Sequence, residues 1–200
     1  MALRDGTGNS RKRKDAPPAE EGFPPLSTSI LHFVKNGSDR EFRRLIYDLH
    51  AYHALMVRNR AHLAAYIGVT DPQYILMSMI AETPNATVGN LAQQMDVTSQ
   101  FVTIEIGKLI EKGIVEKRPN EADRRSVFLM LTSKGQRLLR ELGPFRRKVN
   151  DMMFRSLTED RARMLKEIIG TLTIDARTSL HELDAPHMRN NKAPSARSGS

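Results

Sequence analysis

Thr98, Ser99, Gln100 and Thr103 place short polar side chains close together, where the surrounding pattern starts a helix. Such side chains hydrogen-bond base edges, and the free N–H groups of a helix start favour phosphate. One chemistry open to them is therefore the reading of a DNA major groove. The plainer one is a helix cap at Thr98 followed by a solvated face at Ser99 and Gln100. Lys108, further along the same helix, suits a phosphate contact. Downstream, Asp123, Arg124 and Arg125 lie at the end of the polar segment Pro119–Arg125. Cations on such a loop fit the deep negative potential of a narrow minor groove. The alternative is a charged surface turn in which Asp123 and Arg125 pair with each other.

A second set of residues suits a small anion. Tyr52, His53, Arg60, Tyr66 and Tyr74 combine an arginine and a histidine with aromatic rings, a composition that fits a carboxylated aromatic ligand. The structural alternatives are a dimer salt bridge for Arg60 and a satisfied interface position for His53. His50 and His53 are three residues apart but lack the carboxylate–histidine set of a metal site, so neither a metal nor a cofactor is expected. The chain has no cysteine. That removes disulfides, thiolate zinc sites and thiol-based redox sensing. Neither a glycine-rich phosphate loop nor a nucleophile elbow nor an acid pair with metal spacing is present, so an enzyme is not expected.

The elements that must position these residues follow from periodicity and punctuation. Asp39 stands as the cap of a long helix reaching about Ile67, with the stripe Phe42, Leu45, Ile46, Leu49, His53, Met56, Leu63 and Ile67. Gly68 ends it, and Asp71-Pro72 opens a second helix that stops near Thr83-Pro84. Thr87 caps a short helix to about Met95, and Thr98 caps another to about Lys112, closed by Gly113. Between them, Asp96-Val97-Thr98 is a tight turn with Val97 as its apolar plug, and Val102, Ile106, Leu109 and Ile110 form the inner stripe of the second helix. Two strands follow, Ile114–Arg118 and Ser126–Leu131. Two more helices complete the order, about Ser133–Ser156 and Thr158–Asp184. The expected fold is mainly α with a small β-hairpin wing: a winged helix-turn-helix plus a helical layer from the first and last two helices.

Residues 1 to 37 read as a basic, proline-rich disordered tail that includes Arg11–Lys14, and residues 185 to 200 as a second tail. The folded part is then 38–184, with a winged core at about 70–132. The formal net charge is +8, but residues 41–131 carry ten Lys/Arg against ten Asp/Glu. The excess sits in the N-terminal and C-terminal parts, so charge alone does not mark a nucleic-acid binder. With no membrane-length apolar run and no apolar leader in Met1–Ser10, the expectation is a cytoplasmic protein without membrane contact.

The run VTSQFVTIEIGKLIEKGIVEKRPNEADRRSVFLMLTSKG, Val97–Gly135, resembles the multiple antibiotic resistance regulator (MarR) family. The Val-Thr-Ser helix start, the Lys-Leu-Ile-Glu-Lys-Gly-Ile-Val end, the Asp-Arg-Arg wing and the Leu-Thr-Ser-Lys-Gly opening of the next helix carry the likeness. Gly68-Val69-Thr70 before Pro72-Gln73-Tyr74 adds to it upstream. The resemblance implies a homodimer held by the first and last two helices, and a regulator, more often a repressor, on near-palindromic double-stranded DNA. It also implies that a small aromatic anion between the dimer helices and the winged part weakens DNA binding. Ile104 departs from the family, because many relatives carry a polar or basic residue there; Glu105 and Gly107 are also unusual. Base contacts are then expected from Ser99, Gln100 and Thr103. A winged-helix module that binds protein and never DNA is the competing reading, supported by the neutral middle of the chain.

Overall fold

The structure, a computed structural model, describes residues 23–121 and 126–185. The basic run Arg11–Lys14, the loop residues Asp123, Arg124 and Arg125, and the C-terminal stretch from 186 lie outside the described residues. Six helices are described, α1 (Arg40–Tyr66), α2 (Asp71–Glu82), α3 (Val88–Met95), α4 (Ser99–Glu111), α5 (Ser133–Phe154) and α6 (Glu159–Asp184), with strands β1 (Val115–Pro119) and β2 (Val127–Leu131) between α4 and α5. The chain divides into two compact units, Met1–Arg58 and Asn59–Ser200.

In the first unit, the described segment before α1 is organised where the sequence reading has a tail up to residue 37. A 3-10 turn forms at Leu31–Phe33, Lys35 and Ser38 make a β-bridge, and the rings of Phe33 and Phe42 lie 4.8 Å apart. Asp39 is the cause. Its backbone carbonyl accepts the first helical bond, from the Arg43 amide at 3.0 Å. Its carboxylate does not cap α1; it is fully buried and accepts the amide of Ser27 at 2.6 Å, the Ser27 hydroxyl and the Arg43 guanidinium. A buried carboxylate requires such partners, and they fix the chain twelve residues upstream. The Ser27 hydroxyl foremost holds the Asp39 carboxyl below the usual carboxylate range.

The second unit contains the core. Leu76, Met77, Leu91, Val102, Ile106, Leu109, Leu129 and Leu142 are buried to 0–2% exposure and join α2, α3, α4, β2 and α5. Each helix start has its own device. Gln73 returns its side-chain oxygen to the Thr70 amide at α2, and Thr87 and Asn90 exchange bonds at α3. Thr98, Thr132 and Thr158 accept the amides of Phe101, Gly135 and Arg161 at α4, α5 and α6. These bonds satisfy donors that a helix start leaves free. The expected boundaries of α2, α3, α4 and α6 therefore hold to within a residue.

β1 and β2 pair antiparallel, with Val115 opposite Leu131 and Pro119 opposite Val127. The Leu129 amide donates to the carbonyl of Ala86 at 2.7 Å, which stitches the hairpin to the α2–α3 connection. Gly113, at φ +66°, lets α4 turn into β1 in a conformation that disfavours a side chain. Gly135 answers a different need: a Cβ there would run into the carbonyl oxygen of Ile114, so a bare backbone seats α5 on the start of the hairpin.

Candidate nucleic-acid interface

α4 has two unlike sides. Val102, Ile106 and Leu109 face the core, while Ser99, Gln100, Thr103 and Ile104 are exposed. The hydroxyl of Thr98 is engaged as the cap of α4, accepting the Phe101 amide at 3.2 Å. Thr103 donates its hydroxyl to the Ser99 carbonyl at 2.7 Å, which leaves its oxygen as an acceptor on the surface. The turn into α4 passes through Asp96, which ends α3 in the left-handed conformation at φ +55° and accepts the Arg177 guanidinium of α6 at 3.1 Å. Short hydrogen-bonding side chains thus project from the first turns of α4, the turns whose position the Thr98 cap and the Asp96 turn define.

A buried polar group fixes the other side of α4. Glu105 is 8% exposed and Gln73 2%. One Glu105 oxygen accepts the Lys108 ammonium at 2.6 Å, the other the Gln73 amide nitrogen at 3.0 Å. The Gln73 oxygen accepts the Thr70 amide at 3.2 Å and the Lys112 ammonium at 3.1 Å, and Lys112 also reaches the carbonyl of Gly68 at 3.1 Å. The Lys108 hydrogen bond foremost lowers the Glu105 carboxyl below the usual carboxylate range, with help from Gln73 and against the burial that pushes it up. In the sequence Glu105 stands out only as unusual for the family, with no role assigned. The signal was there: Glu105 falls three residues before Lys108 and close to the inner stripe, where a carboxylate demands partners. Lys108, expected at phosphate, lies at the margin of the outward side with its ammonium held by Glu105 and its side chain half exposed.

The hairpin supplies further cations. Lys117 and Arg118 are exposed on β1, and sequence reasoning passed over both in favour of the loop. At the base of the loop, the Asn120 amide donates to the Ser126 hydroxyl at 2.8 Å. Asp123, Arg124 and Arg125 fall outside the described residues.

The residues suggested for a small anion fall in both units. In the first unit, Tyr52 and His53 are exposed on α1. In the second, Arg60 makes a two-pronged ion pair with Asp71, at 2.5 and 2.9 Å. Tyr66 is exposed with its ring 5.1 Å from that of Phe145, and Tyr74 is buried. Arg60 is therefore ion-paired within the chain, through Asp71, where the sequence alternative has a salt bridge across a dimer. Among the described residues no group of three or more His, Cys, Asp or Glu is placed to hold a metal ion. No described helix is long and apolar enough to cross a membrane.

A capped helix pair joined by a tight turn, with a two-stranded hairpin following directly, defines a winged helix-turn-helix. The sequence model of the MarR family matches residues 67–126, from just after α1 through α2, α3, α4 and β1 to just before β2. The HTH-type transcriptional regulator FarR of Neisseria gonorrhoeae is 27% identical over 124 residues, 62% of this chain and 84% of that protein. An uncharacterized protein of Mycobacterium bovis is 31% identical over 102 residues, 51% of this chain and 71% of that protein. A mutant MarR from E. coli, solved with operator DNA, matches with a TM-score of 0.58 at 21% identity, over 66% of this chain and 95% of that one. The chain belongs to the MarR family.

Proposed function

We propose that this chain is a DNA-binding transcriptional regulator, acting as a homodimer that represses from a near-palindromic operator. The outward side of α4 carries the reading: Ser99, Gln100 and Thr103 stand exposed at the start of a helix whose inner side is locked into the core. A helix presented in this way enters a major groove N-terminus first. In this reading Lys108 serves phosphate, and the loop residues Asp123, Arg124 and Arg125 belong to the DNA contact, the two arginines through the minor groove. An ammonium has three donors, so the Glu105 bond leaves Lys108 capacity for phosphate. The operator-bound MarR of E. coli and the regulators among the relatives support this assignment.

α6 supports the homodimer. None of its 26 residues is buried, although Leu165, Ile168, Ile169 and Leu172 form a stripe at helical spacing. A second copy covering that stripe would place two reading helices about one DNA turn, roughly 34 Å, apart.

The effector belongs to the same proposal. An aromatic acid or thioester bound near Arg60, with Tyr66 and Tyr74 of the same unit as candidate neighbours, would compete with Asp71 for the guanidinium. Asp71 begins α2, and Gln73 of α2 holds Glu105 of α4, so the competition would reach the reading helix. Only a difference in ligand affinity between the two arrangements can weaken DNA binding.

The test is selection of duplexes from a random-sequence pool by the full chain, followed by titration over a range of salt. A regulator enriches a near-palindrome and loses affinity steeply as salt rises. Enrichment of no sequence, with binding indifferent to salt, would leave the chain a protein-interaction module. Thermal-shift titration with aromatic acids, with and without the selected duplex, tests the effector: a ligand that stabilises the free protein should release the DNA.

A further inference from the structure

Two neighbours on the outward side of α4 have no role in the protein's own fold. Ile104 is 50% exposed, a β-branched hydrocarbon among polar side chains. Gly107 follows one turn later in the helix interior, where only proline is less favourable. A Cβ at Gly107 would meet nothing within 4 Å, so internal packing does not call for glycine. Its φ is not in the left-handed region either. Side by side, the helix shows an apolar projection and a bare stretch of backbone. Each is a poor choice for a face that only meets water, and both suit a face that another surface approaches closely.

We propose that Ile104 reads thymine, its side chain resting on the C5 methyl group in the major groove, with Gly107 letting the α4 backbone approach closely enough for that contact. This rests on the DNA-binding reading above and names a specificity element within it. The thymine methyl is the apolar mark that base pairs display in the major groove. Isoleucine neither donates nor accepts a hydrogen bond, so it discriminates by that methyl and not by the polar pattern. Ser99, Gln100 and Thr103 carry the complementary polar chemistry on the same side of the helix.

The experiment takes the duplex selected by the full chain and replaces each thymine in turn by deoxyuridine, which removes the methyl and keeps the base pair. Loss of one methyl contact should weaken wild-type binding about 3–5-fold at one thymine of each half-site. Ile104→Ala should bind the thymine and deoxyuridine duplexes equally, and Ile104→Val should retain most of the preference. Gly107→Ala should raise the melting temperature by about 2–4 °C while weakening the thymine duplex. Wild-type indifference to every methyl, or a methyl preference that survives Ile104→Ala, overturns the assignment. Undiminished binding by Gly107→Ala removes the close approach. A chain that selects no duplex overturns the DNA-binding reading and this inference with it.

Discussion

At the scale of single residues, a lone carboxylate decides how α4 sits. Glu105 is buried, bonded to Gln73 and paired with Lys108, and its carboxyl is lowered mainly by that lysine. A depressed folded-state value means stability that is complete above the ordinary carboxylate range and lost as pH falls through the folded value. Glu105→Gln should therefore be less stable than wild type by about 1 kcal/mol at pH 7, with the gap closing as pH falls from 5 toward 3. Thermal denaturation across that range measures it, and a gap independent of pH would remove the ionic contribution. Gln100 stands on the opposite side with no role in the core. Gln100→Ala should flatten base preference more than it reduces nonspecific affinity; anisotropy on matched and scrambled duplexes separates the two. Residue types alone left these assignments open. Gln73 and Glu105 are 32 positions apart, and Arg60 and Asp71 are 11, so only the folded chain shows who partners whom.

At the scale of elements, local punctuation is strong. Threonines at 87, 98, 132 and 158 each precede a helix and accept a backbone amide, which makes the helix-turn-helix legible in the sequence alone. Thr98→Ala should cost about 1 kcal/mol and fray the turn that carries Ser99 and Gln100. Hydrogen exchange at the Phe101 amide reports it directly. The strands are legible as segments, but β1 is shifted by a residue, because Pro119, expected in the loop, takes its last place, and β2 starts one residue later than expected. A small edge strand tolerates proline at such a place. The segment before α1 is not legible in the sequence, since the buried bond joins Ser27, which composition assigns to a tail, to Asp39, which reads as a helix cap. Packing sets a stricter demand at the α5 start. Gly135→Ala pushes a methyl into the Ile114 carbonyl and should destabilise by about 1–3 kcal/mol, read as a lower urea midpoint.

At the scale of the whole molecule, α6 is the outstanding feature: a long amphipathic helix with its apolar stripe exposed. Fully burying one such side chain is worth about 1.5–3 kcal/mol. A charge placed there reverses the sign. Leu172→Glu should weaken self-association at least about 100-fold, shown by sedimentation equilibrium, and should lower operator affinity in parallel. A variant that remains dimeric would move the interface elsewhere. The apolar stripe makes α6 legible in the sequence, and the resemblance implies its use in a dimer. Gln73 has a consequence of its own. The oxygen that latches the Thr70 amide also receives Lys112, and the nitrogen of the same group grips Glu105. The amide proton of Thr70 is thus a tell-tale: the speed with which it trades for deuterium registers, from the start of α2, whether α4 is still seated.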